Sequence, residues 1–326
     1  MRIVFLGSPP FATPVLKTLL ECEQHQVIAL VTPPDRPRGR GRSVKVSPLV
    51  KLAREHGVPV LQPATTKSDE FERNLCVFNA EALCVASYGE ILQQNILDLA
   101  PNGALNIHGS LLPRWRGASP VQAAILAGDK ETGISIQRMV LALDAGDLIH
   151  KVRTGILPGE NAGELAARLA AMGGPALIET LNLIEGGQPK YTPQDKSGIT
   201  VCRKVKKVEG HLDFTRTAED LLRQIRAMGP WPGAYCHLED GRRLVVLKAR
   251  VLSDPKSQEC ASLVDQNMAH PPGTLLPGAK PCIVSGSCPL ELQIVKPEGK
   301  SAMAGDDFLR GAHLEPGSRL IGAEHS

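Results

Sequence analysis

The sequence predicts an α/β fold: a larger N-terminal domain on a mostly parallel sheet, followed by a small C-terminal β-barrel. Three observations predict it. Short apolar runs at Ile3–Leu6, Val27–Val31, Ala82–Ala86 and Ala104–Ile107 are each bounded by Gly, Pro or polar turns. Between them lie segments with helical spacing, such as Pro14–Glu21 and Pro48–His56, the alternation of βαβ units covered on both faces. Beyond residue 205 the pattern becomes many short strand candidates separated by turn signals, which suits a small barrel.

The remaining elements follow in order. Ile134 and Ile136 alternate with Ser135 and Gln137, so Gly133–Met139 is expected as a strand with one face less buried. Asn161 stands where it would cap a helix carrying Leu165, Leu169 and Met172 on one face. A second helix is expected over Pro175–Ile184, stopping at Gly186-Gly187. Residues 188–205 turn polar and proline-punctuated, which places an interdomain linker there. The division is therefore 1–189, a linker at 190–205, and 206–326. In the last part Thr217–Met228 reads as one amphipathic helix ended by Gly229-Pro230. Strands are expected at Ala234–Leu238, Leu244–Val251, Gly273–Leu275, Cys282–Val284 and Leu290–Val295, with Asp254–Pro272 as a mobile, irregular loop.

Composition sets limits. A chain of 326 residues can bury two cores, and 3% aromatic content means those cores are built from Leu, Val, Ile and Ala. The net charge of +3 permits an RNA partner without arguing for one. Cysteines at 22, 76, 84, 202, 236, 260, 282 and 288 form no C-x-x-C pair, so neither a zinc site nor a disulfide framework is expected. Thiols in a reducing compartment fit better. No run approaches the roughly 20 apolar residues of a membrane span, and Arg2–Gly7 reads as a first strand rather than a signal peptide. A cytoplasmic chain with no membrane partner and no metal is the expectation.

Four local features could carry chemistry. Gly7-Ser8-Pro9-Pro10 ends the first strand, where α/β sheets bind ligands, but it holds one glycine of a G-x-G-x-x-G fingerprint. Its prolines also remove N–H donors, which argues against a dinucleotide. After the second strand, Pro34–Lys45 places Arg36, Arg38, Arg40, Arg42 and Lys45 among glycines and prolines. Such a run is a solvated loop or a flexible arm that meets phosphates. Asn106 and His108 share one face of a strand end, because the side-chain period is two. An amide donor beside an imidazole suits acyl transfer, by oxyanion stabilisation and proton movement. In Leu143-Asp144-Ala145-Gly146-Asp147, a turn sequence, either Asp144 or Asp147 could reach His108 and fix its tautomer.

Taken together these residues resemble the methionyl-tRNA formyltransferases over nearly the whole chain. The most specific stretch is Asn106-Ile107-His108-Gly109-Ser110-Leu111-Leu112-Pro113-Arg114-Trp115-Arg116-Gly117-Ala118-Ser119-Pro120. Ala127–Gly133 and Leu143–Asp147 follow at the family's spacing, and Pro230–Ala234, Gly299–Met303 and Pro316–Leu320 resemble its C-terminal part. The resemblance implies a Rossmann-like domain, a linker and an OB-like barrel that helps hold tRNA. It implies formyl transfer from 10-formyltetrahydrofolate to the α-amine of initiator methionyl-tRNA, catalysed by Asn106, His108 and Asp144. Tyr88, Gly89, Ile91, Ser110, Leu111, Leu112 and Pro113 would hold folate, and the Pro34–Lys45 cations, Arg40 foremost, would meet the acceptor arm.

This chain departs from the family in three places: Ala145 replaces a usual Thr, Glu90–Gln93 replaces a usual Ile-Leu-Pro segment, and the 254–272 loop is longer. A monomer is expected. Transfer to an amino sugar or another small amine, hydrolysis of formyltetrahydrofolate, and a non-catalytic RNA-binding module are the competing readings. The basic loop and barrel weigh against the first, and the intact Asn106, His108 and Asp144 against the last.

Overall fold

The computed structural model describes residues 1–35, 37–38, 43–44, 46–252 and 258–323. In chain order the elements up to residue 185 are β1 (Arg2–Gly7), α1 (Ala12–Leu20), β2 (Gln26–Val31), α2 (Pro48–Glu55), β3 (Val60–Leu61), α3 (Asp69–Cys76), β4 (Ala82–Ala86), α4 (Gln94–Leu97), β5 (Ala104–His108), α5 (Pro120–Ala127), β6 (Glu131–Arg138), β7 (Leu148–Gly155) and α6 (Ala162–Glu185). Among the described residues the seven strands form one sheet in the order β7-β6-β5-β4-β1-β2-β3. β1 to β5 run parallel, while β6 is antiparallel to β5 and β7 antiparallel to β6.

The reversal of strand order between β1 and β4 opens a crevice at their carboxyl ends, the place where such sheets bind ligands. The unbroken apolar run of β1 explains its central position. Val4 and Leu6 enter a core with Ala29, Val31, Phe71, Leu75, Leu83, Val85 and Tyr88 on one face. Successive side chains point to opposite faces, so Ile3 and Phe5, also fully buried, serve the other.

Three expectations need correction here. The 133–139 strand is buried on both faces: Ser135 and Gln137 are 0% and 1% exposed. Each polar side chain is hydrogen-bonded, Ser135 to the Ser110–Leu112 backbone after β5 and Gln137 to Asp144, which removes the penalty for burying it. The two helices expected between Asn161 and Gly186 are one helix, α6, with Pro175 inside it. Gly173 and Gly174 are not breakers but close-packing positions: a Cβ on Gly174 would lie 2.6 Å from Thr18, and one on Gly173 would crowd Ile107 of β5. Asn161 caps as expected, accepting from the N–H groups of Gly163 and Glu164, and Glu164 returns a bond to its N–H. The third correction concerns the irregular loop. Gln258–Ala269 is a helix, and Asn267 in it exchanges two hydrogen bonds with the Ser285 backbone; residues 253–257 lie outside the described residues.

The chain divides into two compact units, one comprising Met1–Pro120, Lys130–Gly155 and Leu165–Arg203, the other Val121–Asp129, Ile156–Glu164 and Lys204 onward. Residues 192–202, within the stretch expected as linker, pack on the first unit. Thr192 bridges Leu148, and Val201–Cys202 pairs with Arg116–Gly117.

The second unit continues with α7 (Ala218–Met228), β8 (Ala234–His237), β9 (Arg243–Val251), α8 (Gln258–Ala269), β10 (Cys282–Ile283), β11 (Leu290–Pro297), β12 (Met303–Ala304) and α9 (Gly305–Ala312). Its antiparallel sheet runs β8-β9-β11-β10, with β12 on β11. Isolated bridges Leu275–Ile283, Thr274–Arg319 and His237–Ile321 then carry the pairing from β10 back to β8, so the sheet curls into a small barrel. The strand expected at Gly273–Leu275 is present only as these bridges.

Candidate active site

Asn106 and His108 stand at the carboxyl end of β5, next to Val85 of β4 on one side and opposite Gln137 and Ser135 of β6 on the other. After β6 the chain turns back through residues 139–147, and this turn carries Asp144 toward them. The turn closes when the Arg138 N–H donates to the Asp147 carbonyl. Gly146 sits so close to β6 that a Cβ would lie 1.6 Å from the Arg138 carbonyl oxygen. Asp144 itself adopts φ 49°, a left-handed conformation in which Asp and Asn are enriched.

The Asp144 carboxylate is the hub. Oδ1 accepts from Asn106 Nδ2 at 3.1 Å and from Gln137 Nε2 at 3.0 Å, and lies 3.6 Å from His108 Nδ1. Oδ2 accepts from the Gly117 N–H at 2.8 Å. Such a set of donors fixes an anion in place. His108 Nε2 lies 2.8 Å from the Trp115 carbonyl. A carbonyl only accepts, so Nε2 carries the hydrogen and Nδ1 is the nitrogen turned to Asp144. Asn106 is half-buried; one N–H goes to Asp144, and the second meets no acceptor among the described residues. The structure therefore brings together the three residues that the sequence offered separately, and chooses Asp144 over Asp147.

Two residues escaped the sequence reading. Gln137 looked like the polar side of a strand, and Gln194 lay in the expected linker. Gln194 donates from Nε2 toward the carbonyls of Asp144 and Gly146, while its oxygen accepts from Arg116. Periodicity offers a signal for Gln137 alone, since it stands in register opposite Asn106.

The residues expected to hold folate fall into two groups. Tyr88, Gly89 and Ile91 follow β4 in a loop where Ser87 and Gly89 have φ of 51° and 89°. The Tyr88 ring joins the core, where burial and then the Glu90 charge push its phenol up, while Ile91 is exposed. Ser8 of the β1 end donates to the Tyr88 carbonyl at 3.0 Å, and Glu90 accepts from both the N–H and the hydroxyl of Thr66. The second group follows β5. Ser110 and Leu112 are buried, Leu111 and Pro113 half-buried. Ser135 donates to the Ser110 carbonyl and accepts from the Leu112 N–H, and Lys151 Nζ donates to the Leu112 carbonyl at 2.8 Å. Burial, then Arg153, lowers the Lys151 amine from its ordinary value. Much of the hydrogen bonding of Ser110–Leu112 is thus spent within the protein.

Beside Cys202, whose thiol burial pushes up, the carbonyls of Trp115 and Arg116 receive the S–H. Of the basic run, Pro37–Arg38 pairs with Ser43–Val44 as a two-stranded ribbon. Arg36, Arg40, Arg42 and Lys45 lie outside the described residues. Among the described residues no group of three or more His, Cys, Asp or Glu could hold a metal ion, and no helix is long and apolar enough to cross a membrane.

Comparison with known proteins accords with this geometry. A family model described as formyl transferase matches residues 1–181, and one described as formyl transferase, C-terminal domain, matches residues 204–313. A methionyl-tRNA formyltransferase of Hydrogenovibrio crunogenus is 39% identical over 96% of this chain and 97% of its own. One of Gluconobacter oxydans is 39% identical over 98% of this chain and 100% of its own. Among solved structures, the sugar 3N-formyl transferase WlaRD aligns with TM-score 0.63 at 14% identity, over 92% of this chain and 99% of its own. HypX from Aquifex aeolicus aligns with TM-score 0.62 at 16% identity, over 100% of this chain and 50% of its own. These two likenesses concern the fold.

Proposed function

We propose how this chain, which belongs to the methionyl-tRNA formyltransferase family, carries out the transfer. It moves a formyl group from a folate donor to initiator methionyl-tRNA. In our reading the donor is 10-formyltetrahydrofolate and the catalytic set is Asn106, His108 and Asp144. One observation carries the reading: an amide and an imidazole stand on one strand end with a single carboxylate against both.

As the α-amine adds to the formyl carbon, charge grows on the formyl oxygen. The second N–H of Asn106, held in direction by Asp144, is aimed to receive that charge without reorganising. His108 supplies the other donor once its Nε2–H exchanges the Trp115 carbonyl for the substrate oxygen. Asp144, at Nδ1, steadies the ring and helps relay the proton lost by the amine to the departing folate nitrogen. No covalent enzyme intermediate is needed.

For folate, two left-handed residues in the 87–91 loop turn backbone groups outward at the switch point of the sheet, which fits a pterin held between Tyr88–Ile91 and Ser110–Pro113. Residues 1–189 act as the catalytic domain, and 206–326, reached through 190–205, as the barrel that helps hold tRNA. Arg36, Arg38, Arg40, Arg42 and Lys45 supply phosphate contacts. Substituting Arg40 should weaken tRNA use and leave folate binding unchanged.

The test is formyl transfer from 10-formyltetrahydrofolate to methionyl initiator tRNA, run beside methionyl elongator tRNA. Asn106→Ala and His108→Ala should each lose about 100- to 1000-fold in rate while folding normally. Activity kept within about tenfold in either variant would remove it from the catalytic set.

A further inference from the structure

We propose that Gln194 is a positioning residue for formyl transfer, holding the turn that carries Asp144 in its catalytic place. The proposal rests on the reading of Asn106, His108 and Asp144 given above. Gln194 is 9% exposed, and every polar atom of its side chain is engaged. Nε2 lies 2.9 Å from the Asp144 carbonyl and 2.7 Å from the Gly146 carbonyl, with Gln137 Oε1 farther off at 3.3 Å. Two N–H groups thus staple both ends of the Asp144–Gly146 turn.

The orientation of this amide is not arbitrary. Oε1 accepts from Arg116 Nε at 3.0 Å and Nη2 at 2.8 Å, and a guanidinium has only donors. The oxygen must therefore face Arg116 and the nitrogen must face the carbonyls. The neighbour of Arg116, Gly117, donates its N–H to the Asp144 carboxylate. One short segment thereby grips Asp144 twice, directly through Gly117 and indirectly through Arg116 and Gln194.

Gln194 is itself held from both sides. Thr192 exchanges backbone hydrogen bonds with Leu148, at 2.9 and 2.8 Å. Downstream, the Thr200 hydroxyl accepts from the Trp115 N–H, its carbonyl accepts from the Arg116 N–H, and Val201–Cys202 pairs with Arg116–Gly117. A left-handed Asp persists only where its surroundings over-determine it. Without Gln194 the turn keeps its sequence but loses its staple, and Oδ1 drifts from Asn106 and His108.

A misplacement of about 1 Å can cost about 100-fold in rate, so Gln194→Ala should lower kcat by roughly 10- to 100-fold. KM for both substrates and the melting temperature should stay near those of the native chain. In the full-length protein, kcat and both KM values are measured for Q194A, Q194E, N106A and the double variant Q194A/N106A. Q194E keeps an oxygen for Arg116 but sets a second oxygen against two carbonyls, so it should be as impaired as Q194A. It also supplies the readout if Q194A does not fold. Because Gln194 acts through the Asp144–Asn106 geometry, the two losses should be markedly less than additive in the double variant. Native kcat in folded Q194A or Q194E, a loss matched by raised KM, or full additivity would each overturn the proposal. An active N106A would instead overturn the catalytic reading, and leave the two failures distinguishable.

Discussion

The Gly117 N–H donates to Asp144 Oδ2 at 2.8 Å across 27 residues of sequence, and this bond ties the Arg116–Gly117 segment after β5 to the Asp144 carboxylate. All the hydrogen-bonding groups around that carboxylate are donors: Gly117, Asn106 and Gln137. Asp144→Asn keeps a residue that tolerates φ 49° but points an NH2 group at one of those donors. The variant should lose about 100-fold or more in kcat. It should also lose about 1–3 kcal/mol of stability in urea unfolding. A D144N enzyme with near-native kcat would show that the negative charge is dispensable.

Gly146→Ala tests the turn itself. Its Cβ would fall 1.6 Å from the Arg138 carbonyl oxygen, so the turn must move away from β6. A stability loss of roughly 2–4 kcal/mol is expected, with loss of activity beyond what unfolding explains. The measurement is thermal and urea unfolding beside kcat, and unchanged values in both would contradict the packing described.

Glu90 stands where relatives of this chain were expected to carry an apolar segment, and the structure gives it work. Its carboxylate accepts the N–H and hydroxyl of Thr66, at 3.1 and 3.0 Å, and so fastens the 87–91 loop to the neighbouring loop. Glu90→Ala removes both bonds and leaves the buried Thr66 unpaired on that side. An increase in KM for the folate donor of about 5- to 30-fold is expected, the equivalent of roughly 1–2 kcal/mol, with kcat little changed. A fall in kcat at constant KM would place Glu90 in a different role.

His211 in the second unit stacks on Tyr235 at 4.8 Å, with His237 edge-on at 5.2 Å. Burial lowers its pKa from the ordinary 6.5; a hydrogen bond with the Ile321 backbone opposes the shift, and His237 and Arg243 add to it. A lowered value means that the unfolded chain takes the proton first. The stabilising contribution is therefore complete above about 6.5 and is lost as pH falls from there through the folded value. Unfolding free energy measured between pH 8 and pH 5 should fall on the acid side. His211→Gln should flatten that fall, and an unchanged slope would refute the assignment.

Much of the fold was legible because burial writes itself locally. Ile3–Leu6, Val27–Val31, Ala82–Ala86 and Ala104–Ile107 are strands of the sheet to within a residue or two. Asn106 and His108 could be set on one face from the period of two alone. What stayed hidden was non-local. Gln137 looked solvated because strand periodicity does not show that the 139–147 turn folds back to set Asp144 and Gly146 against its amide. Gln194 looked like linker because the partners that bury it lie 50 and 78 residues away in sequence. Gly173-Gly174-Pro175 looked like a break because packing against Thr18 and Ile107 leaves no mark on the helix's own pattern. The helix over 258–269 was lost to its polar composition, its anchor being Asn267 on the Ser285 backbone.

The barrel of the second unit closes by pairing His237 with Ile321 and Thr274 with Arg319. During synthesis, β8 emerges long before its partner at residue 321 exists. At about 5–20 residues per second, several seconds pass with that strand edge uncovered. An unpaired edge is a template for the wrong partner. The first unit, by contrast, has its whole strand set and the 192–202 brace in hand once residue 203 is made. A ribosome-bound chain should therefore acquire a protease-resistant first unit while the barrel is still open, and the segment around Arg319–Ile321 is the one whose arrival closes it.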